Sequence, residues 1–460
     1  MSIQHPKVVV IGAGSLFFGR EAIWQMVYSP YLNKGTLALV DIDNSRLEKM
    51  HKLAEMVVAH TGVKLKIEAS VDRTKVLPGA DFVVLTFADR SAMFRGIDCQ
   101  ISEKYGIRMC SGDTIGPGGI FRGLREIPHV LACARDVERL CPEAWVINYV
   151  NPTAVMGIAL KRHAPGVKSF ALCDGLHLPH VKKGYAKRAG IIKTEAEYTP
   201  EIDEKFDLRI AGVNHFTWMI KAEYEGRDVT PQIAESIRRV AATETDGGDK
   251  GAKAYFNAAI GYTLYEIFGY IPTCVGHTKE YVRFWQGLGK TKENIPPLKI
   301  WDVNERYKRH DEMWQQVDDF ISGKIPISEY MKKFKPDHAT DVIESMVGDL
   351  KKPFYINTFN NGAVTNMAKD AFLELCCDVD IKNGPRPRPV GEMPRGIRGM
   401  QELVLDTHEL TVEAAVTCDR RILRRAMLTD PLVNSIGDAD AIIKELLEAE
   451  KEVLPPEWFK

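Results

Sequence analysis

The feature that most constrains this 460-residue chain is VVVIGAGS at positions 8–15, an apolar, β-branched run that stops on Gly12-Ala13-Gly14-Ser15. Such a run predicts a strand, Lys7–Ile11, buried on both faces. Two glycines one residue apart at its carboxyl end predict a tight turn into a helix, where backbone N–H groups and the helix dipole hold a pyrophosphate. Gly12 permits the turn, Gly14 lets a phosphate approach the backbone, and Ser15 opens the helix. The third glycine of the dinucleotide fingerprint is missing, because position 17 is Phe17. The second predicted strand, Thr36–Asp41, restores the match by ending on a carboxylate placed to reach ribose hydroxyls. Asp41 would repel a 2′-phosphate, so the site reads as one for NAD in preference to NADP.

Further strands are predicted at Asp81–Phe87, Trp145–Val150 and Ser169–Cys173, alternating with helical stretches such as Ser45–His60, for which Asp43 is the N-cap. The β-α-β-α-β order implies an α/β fold, with a Rossmann-like doubly wound parallel sheet in residues 1–200. Beyond it, DLRIAGVNHFTWMIKAEY reads as strand and gives way to long helical segments. Residues 201–460 are therefore expected to form an α+β domain. The segment NGPRPRPVGEMPRG (383–396) reads as an ordered loop carrying an unassigned basic patch.

Charge and cysteine usage exclude several partners. The 61 Lys+Arg against 62 Asp+Glu leave no basic excess for nucleic acid. No run of about 18 apolar residues suits a membrane, and the opening residues lack a cleavage-site pattern, so a cytoplasmic location is expected. Nine cysteines without CxxC spacing indicate neither a disulfide framework nor a zinc ribbon.

Four segments fall where a doubly wound sheet places its ligands: SGDTIGPGGIFRGLR (111–125), VINYVNP (146–152), CDG (173–175) and GVNHFTW (212–218). Each alone has an ordinary structural explanation. Together, a thiol at Cys173 and an imidazole at His215 beside a nicotinamide make a plausible ligand pair for Mn, Fe, Co or Ni in preference to Mg.

In this order and at this length, VIGAGS, Asp41, DTIGPGGIFRGLR, NYVNP, CDG and GVNHFTW resemble glycoside hydrolase family four, the NAD- and metal-dependent glycosidases. The resemblance extends to NTFNNGAVTNM (357–367). It implies NAD and Mn2+ or a similar cation, a small glycoside substrate and a homodimer or homotetramer. It also implies oxidation of the sugar at C3, removal of the C2 proton, elimination of the aglycone, addition of water and re-reduction; such enzymes are an exception among two-carboxylate glycosidases. Carried over by position, Cys173 and His215 match the metal ligands, and Gly12, Gly14, Ser15 and Asp41 the dinucleotide contacts. Asn151 lies beside cofactor, metal and substrate, and Asp174 matches the general acid, although galactosidase-like relatives have His there. Asp113 and the GPGG turn would line the nicotinamide and substrate side, with Asn148 and Asn214 close by. Arg95 matches a substrate-contacting arginine of the phospho-sugar branch.

The C2 base stays open. Some branches use a Tyr and others an Asp before an H-x-x-E motif, and CVGHTKEYVRFW (274–285) has neither at the expected position. Tyr281 and His277 are both chemically able, with Glu280 behind them. Lys279 stands where neutral-sugar relatives have a small residue, which points either to an anionic C6 group, as in a uronide or a sulfonated sugar, or to a solvent-facing lysine. GIFRGLR and GVNHFTW are closer to the galactosidase and hexuronidase branch, so an α-hexoside is expected. An NAD-dependent hydroxyacid or sugar dehydrogenase would leave Cys173, His215 and GPGG idle, and a non-catalytic NAD or sugar sensor would make the metal ligands dispensable.

Overall fold

The computed structural model describes residues 3–15, 19–244, 256–291, 295, 297–332 and 338–460; Phe17 lies outside them. Six parallel strands, β1 (Lys7–Ile11), β2 (Thr36–Val40), β3 (Lys66–Ser70), β4 (Phe82–Leu85), β5 (Trp145–Asn148) and β6 (Lys168–Ala171), lie in the order β3-β2-β1-β4-β5-β6. This is a doubly wound sheet whose strand order reverses beside β1, where such folds bind dinucleotides. The expected N-cap is present: the Asp43 carboxylate accepts the Arg46 N–H at 3.1 Å and opens the helix Asn44–Thr61.

The same sheet continues with the second half of the chain. Strands β7 (Phe206–Gly212), β8 (Trp218–Tyr224), β9 (Arg227–Asp228), β10 (Ile271–Pro272), β11 (Pro353–Phe359), β12 (Phe372–Asp380) and β13 (Gly384–Pro387) extend it antiparallel, through β11 against β6, then β12, β7, β8 and β10, with β13 on β12 and β9 on β8. Residue 200 opens the short helix Pro200–Lys205 between β6 and β7, and the sheet passes unbroken between the two halves.

Several elements differ from the sequence reading. β2, β4, β5 and β6 each stop one or two residues early, because the chain leaves the ladder to build ligand loops; the N–H groups of Gly12 and Ala13, for instance, both take Val40 O, at 2.8 and 2.9 Å. β3 escaped the reading because LKIEAS is half-exposed on the sheet edge and carries no apolar run. The strand-like 207–224 is an antiparallel pair, β7 and β8, joined by a turn that presents residues 213–217. The segment 383–396 is partly strand, and two of its arginines are paired: Arg386 with Asp380, and Arg388 with Asp378 at 2.6 Å.

One row of the sheet matters for function. Asn148 on β5 pairs with Ala171 on β6, which pairs with Asn357 on β11, then Glu374 on β12 and Gly212 on β7. Polar side chains thus interrupt an apolar sheet along the line that leads from the Asn151 loop to the His215 turn.

Candidate active site

The cofactor side is built from backbone. Gly12 has φ +94°, and a Cβ there would fall 2.6 Å from Phe87 N, so only glycine fits. The Gly14 N–H donates to Asp41 Oδ2 at 2.7 Å, the Asp43 N–H to Oδ1 at 2.9 Å, and the Ser15 N–H to Gly12 O at 2.9 Å. The carboxylate is therefore fixed at the strand end with lone pairs left for hydroxyl donors. Beside it, Ile42 is 90% exposed, an apolar surface suited to a nucleobase that the sequence reading did not single out. The glycine cradle, the anchored carboxylate and this surface fit a dinucleotide.

Cys173 lies two residues past β6 and begins the turn Asp174–Leu176, whose Gly175 N–H donates to its sulfur at 3.4 Å. The β7–β8 turn delivers His215, Nδ1 3.1 Å from Cys173 Sγ; the Asn214–His215 peptide bond is cis. These two residues, 42 positions apart, converge. Burial, with Glu374 next and Cys274 after it, holds the Cys173 thiol well above its ordinary value. A cation bound there would reverse that preference, since the thiolate is the ligand. Among the described residues no group of three or more His, Cys, Asp or Glu closes a metal shell. A thiol and an imidazole with open positions suit a divalent ion that must also take substrate oxygens.

The segment 274–285 wraps this centre. The His277 ring stacks on His215 with centroids 4.3 Å apart. The buried Tyr281 hydroxyl donates to Asn214 O at 3.0 Å and accepts the His215 N–H at 2.9 Å, while its ring stacks on Phe216 at 5.0 Å. Burial keeps that phenol protonated far into the basic range. Glu280 accepts the Ser111 N–H, which ties the wrap to the Asp113 loop. Asp174 is exposed beside Cys173. On the other side, His338 Nδ1–H donates to Cys173 O at 3.0 Å, and its ring stacks on His177 at 4.6 Å.

Asp113 gathers the predicted substrate side. It lies 3.2 Å from Arg122 and 3.4 Å from Arg95, accepts the Ser111 hydroxyl at 2.8 Å, and has Asn151 Nδ2 3.4 Å away. The Thr153 hydroxyl fixes Asn151 at 2.7 Å. Arg95 is only 5% exposed; it donates to Ser111 O at 3.0 Å and lies over the Trp301 ring. Arg306, half-buried, has its guanidinium held down at about 10 by burial and by the nearby Arg95. Lys279 is 1% exposed with Nζ 3.2 Å from Asn257 Oδ1, so the solvent-facing alternative fails. Asn148 is turned onto its own loop, donating to Val150 O at 3.0 Å.

With this geometry described, comparison with known proteins decides the family. A model described as family 4 glycosyl hydrolase matches residues 7–187, and its C-terminal domain matches residues 210–433. The chain belongs to the family 4 glycosyl hydrolases. It is 28% identical to an alpha-galactosidase of Bacillus subtilis (strain 168) over 98% of this chain and 99% of that one, and 27% identical to an alpha-galacturonidase of the same strain over 97% and 98%. A solved 6-phospho-alpha-glucosidase from gut microorganisms, in complex with NAD and Mn2+, is 21% identical and superposes with a TM-score of 0.76 over 98% of this chain and 99% of that one. That likeness shows a shared fold. This family 4 enzyme is a glycosidase. Among its described residues no helix is long and apolar enough to cross a membrane.

Proposed function

We propose that this enzyme hydrolyses α-hexosides of the galactoside or hexuronide type, with NAD and Mn2+ or a similar divalent cation as resident cofactors. The observation that carries the reading is the approach of Cys173 and His215 to 3.1 Å at the carboxyl end of a dinucleotide-binding sheet. Gly12, Gly14, Ser15 and Asp41 would hold the dinucleotide, and Cys173 and His215 the cation, with Asn151 between them. When bound, these groups supply hydride exchange at C3 and Lewis-acid stabilisation of charge on the C2 and C3 oxygens.

The chain's own residues do the rest. Asp174 protonates the leaving-group oxygen from its exposed position. His277, stacked on His215 and half-exposed, takes the C2 proton. Tyr281 fixes the Asn214–His215 backbone, because both functions of its hydroxyl are already engaged there. Asp113, held by Arg95 and Arg122, accepts a sugar hydroxyl. The buried Arg95 and Lys279 at this end favour a sugar with an anionic C6 group, and the alpha-galacturonidase relative supports the same choice. A homodimer or homotetramer in the cytoplasm follows from the family resemblance, and sedimentation tests the assembly.

A panel of nitrophenyl glycosides, galactoside and galacturonide included, with NAD+ and Mn2+ each supplied or withheld, tests the reading. Hydrolysis should need both, with the galacturonide preferred. Activity that survives chelation and NAD+ removal would overturn it, and NADH accumulating from a free hydroxyacid would favour a dehydrogenase.

A further inference from the structure

Glu374 is a buried carboxyl without a counter-charge among the described residues. It lies in the middle of β12, 1% exposed. Its Oε2 accepts from Asn214 Nδ2 at 3.0 Å, and its Oε1 has no partner. Asn214 Oδ1 and both polar atoms of Asn357, the residue directly opposite on β11, are likewise buried without partners. Only burial and Asn214 act on the ionisation of Glu374; no cationic side chain does so among the described residues. Buried carboxylates are ordinarily paired with a cation or a metal, and buried orphan polar atoms are rare enough to need a cause.

Resting on the metal site proposed above, we infer that Glu374 is the outer counter-charge of the cation held by Cys173 and His215 and the positioning residue for Asn214 beside it. A divalent ion bound by one thiolate and a neutral imidazole keeps one positive charge in a buried site, and the Glu374 carboxylate cancels it. Glu374 stays outside the ligand set, touching Asn214, which precedes His215 in the chain. Asn357, paired with Glu374 across β11 and β12, has a buried amide with no partner among the described residues and is the nearest candidate donor in that row of the sheet.

The test is Mn2+ binding without substrate, read from the electron paramagnetic resonance of free Mn2+, with NAD+ binding as the control for folding. Glu374→Gln keeps an acceptor for Asn214 but loses the charge, and should weaken Mn2+ binding 10- to 100-fold while NAD+ affinity is unchanged. Glu374→Asp keeps the charge and should stay closer to wild type than Glu374→Gln. Wild-type Mn2+ affinity in Glu374→Gln, or an equal loss in Glu374→Asp, would overturn the inference. Should Glu374→Gln not fold, Asn214→Ala leaves the charge in place and should cost less than about tenfold; a loss as large as that of Cys173→Ser would overturn the counter-charge role. Wild-type Mn2+ affinity in Cys173→Ser would instead show that the proposed metal site is wrong.

Discussion

Tyr281→Phe separates a positioning hydroxyl from a catalytic base. The substitution removes one oxygen and leaves the ring, so the stack on Phe216 at 5.0 Å persists. The buried His215 N–H loses its acceptor at 2.9 Å, and Asn214 O loses its donor at 3.0 Å. An unsatisfied buried group costs about 1–3 kcal/mol, the N–H more than the carbonyl, so a loss of roughly 2–4 kcal/mol is expected in urea denaturation. Because the released backbone carries the proposed metal ligand, Mn2+ affinity should fall as well. As a positioning residue, Tyr281 should cost about tenfold in kcat and leave the acidic limb of the pH profile, which reports the base, unchanged. As the C2 base it would cost roughly 10²–10⁴-fold. Unchanged stability together with a loss in that range and an altered acidic limb would refute the reasoning and return the proton transfer to Tyr281.

Three further outcomes follow from the geometry. Asp174→Asn should reduce hydrolysis of glycosides with poor leaving groups by roughly 10²-fold or more, and of nitrophenyl glycosides far less; equal losses would remove its role as acid. Gly14→Ala places a Cβ 2.8 Å from Asp41 Oδ2, so it should displace the carboxylate and weaken NAD+ binding by about 10- to 100-fold in calorimetry, the worth of one charged hydrogen bond; wild-type affinity would show that Asp41 plays no part. In the metal-free protein Glu374, Glu126 and Asp430 are each held at about 7 by burial. Unfolded, they lose that proton near 4. The folded state thus binds more protons over that window, and stability should fall as pH rises to about 7 and level off above it. His338 and His408, kept neutral by burial down to about 3 and 4, act in the opposite sense only below about 6.5. The urea midpoint should therefore be lower at pH 8 than at pH 6.5, and a higher midpoint at pH 8 would contradict these burial effects.

The parts of the site that motifs carry were legible in the sequence. Asp41 could be placed because a strand of alternating βα units must end there, and Cys173 because it ends a predicted strand, while His215 lay inside a strand-like run and was marked by its motif. Their convergence was not legible, since it depends on β11 and β12, a pair from much later in the chain, entering between β6 and β7. Glu374 was missed for the same reason, although a lone charge inside the apolar strand FLELC was a usable signal. Arg122 was hidden inside a motif read for its glycines. A lysine flanked by polar residues, as Lys279 is, reads as exposed, and its burial comes from packing against Asn257, 22 positions earlier. Tyr281 and His277 could not be separated by residue type, because both have suitable chemistry; only the structure shows that the Tyr281 hydroxyl is engaged by the Asn214 and His215 backbone.

Hydrolysis in D2O tests the central claim most directly. If bond cleavage proceeds through removal and return of the C2 proton at the centre formed by Cys173, His215 and His277, the released sugar should carry deuterium at C2 and protium at C3 in its NMR spectrum, since the hydride comes back from the cofactor. A sugar released without deuterium at C2 would contradict that account and point to direct displacement at C1.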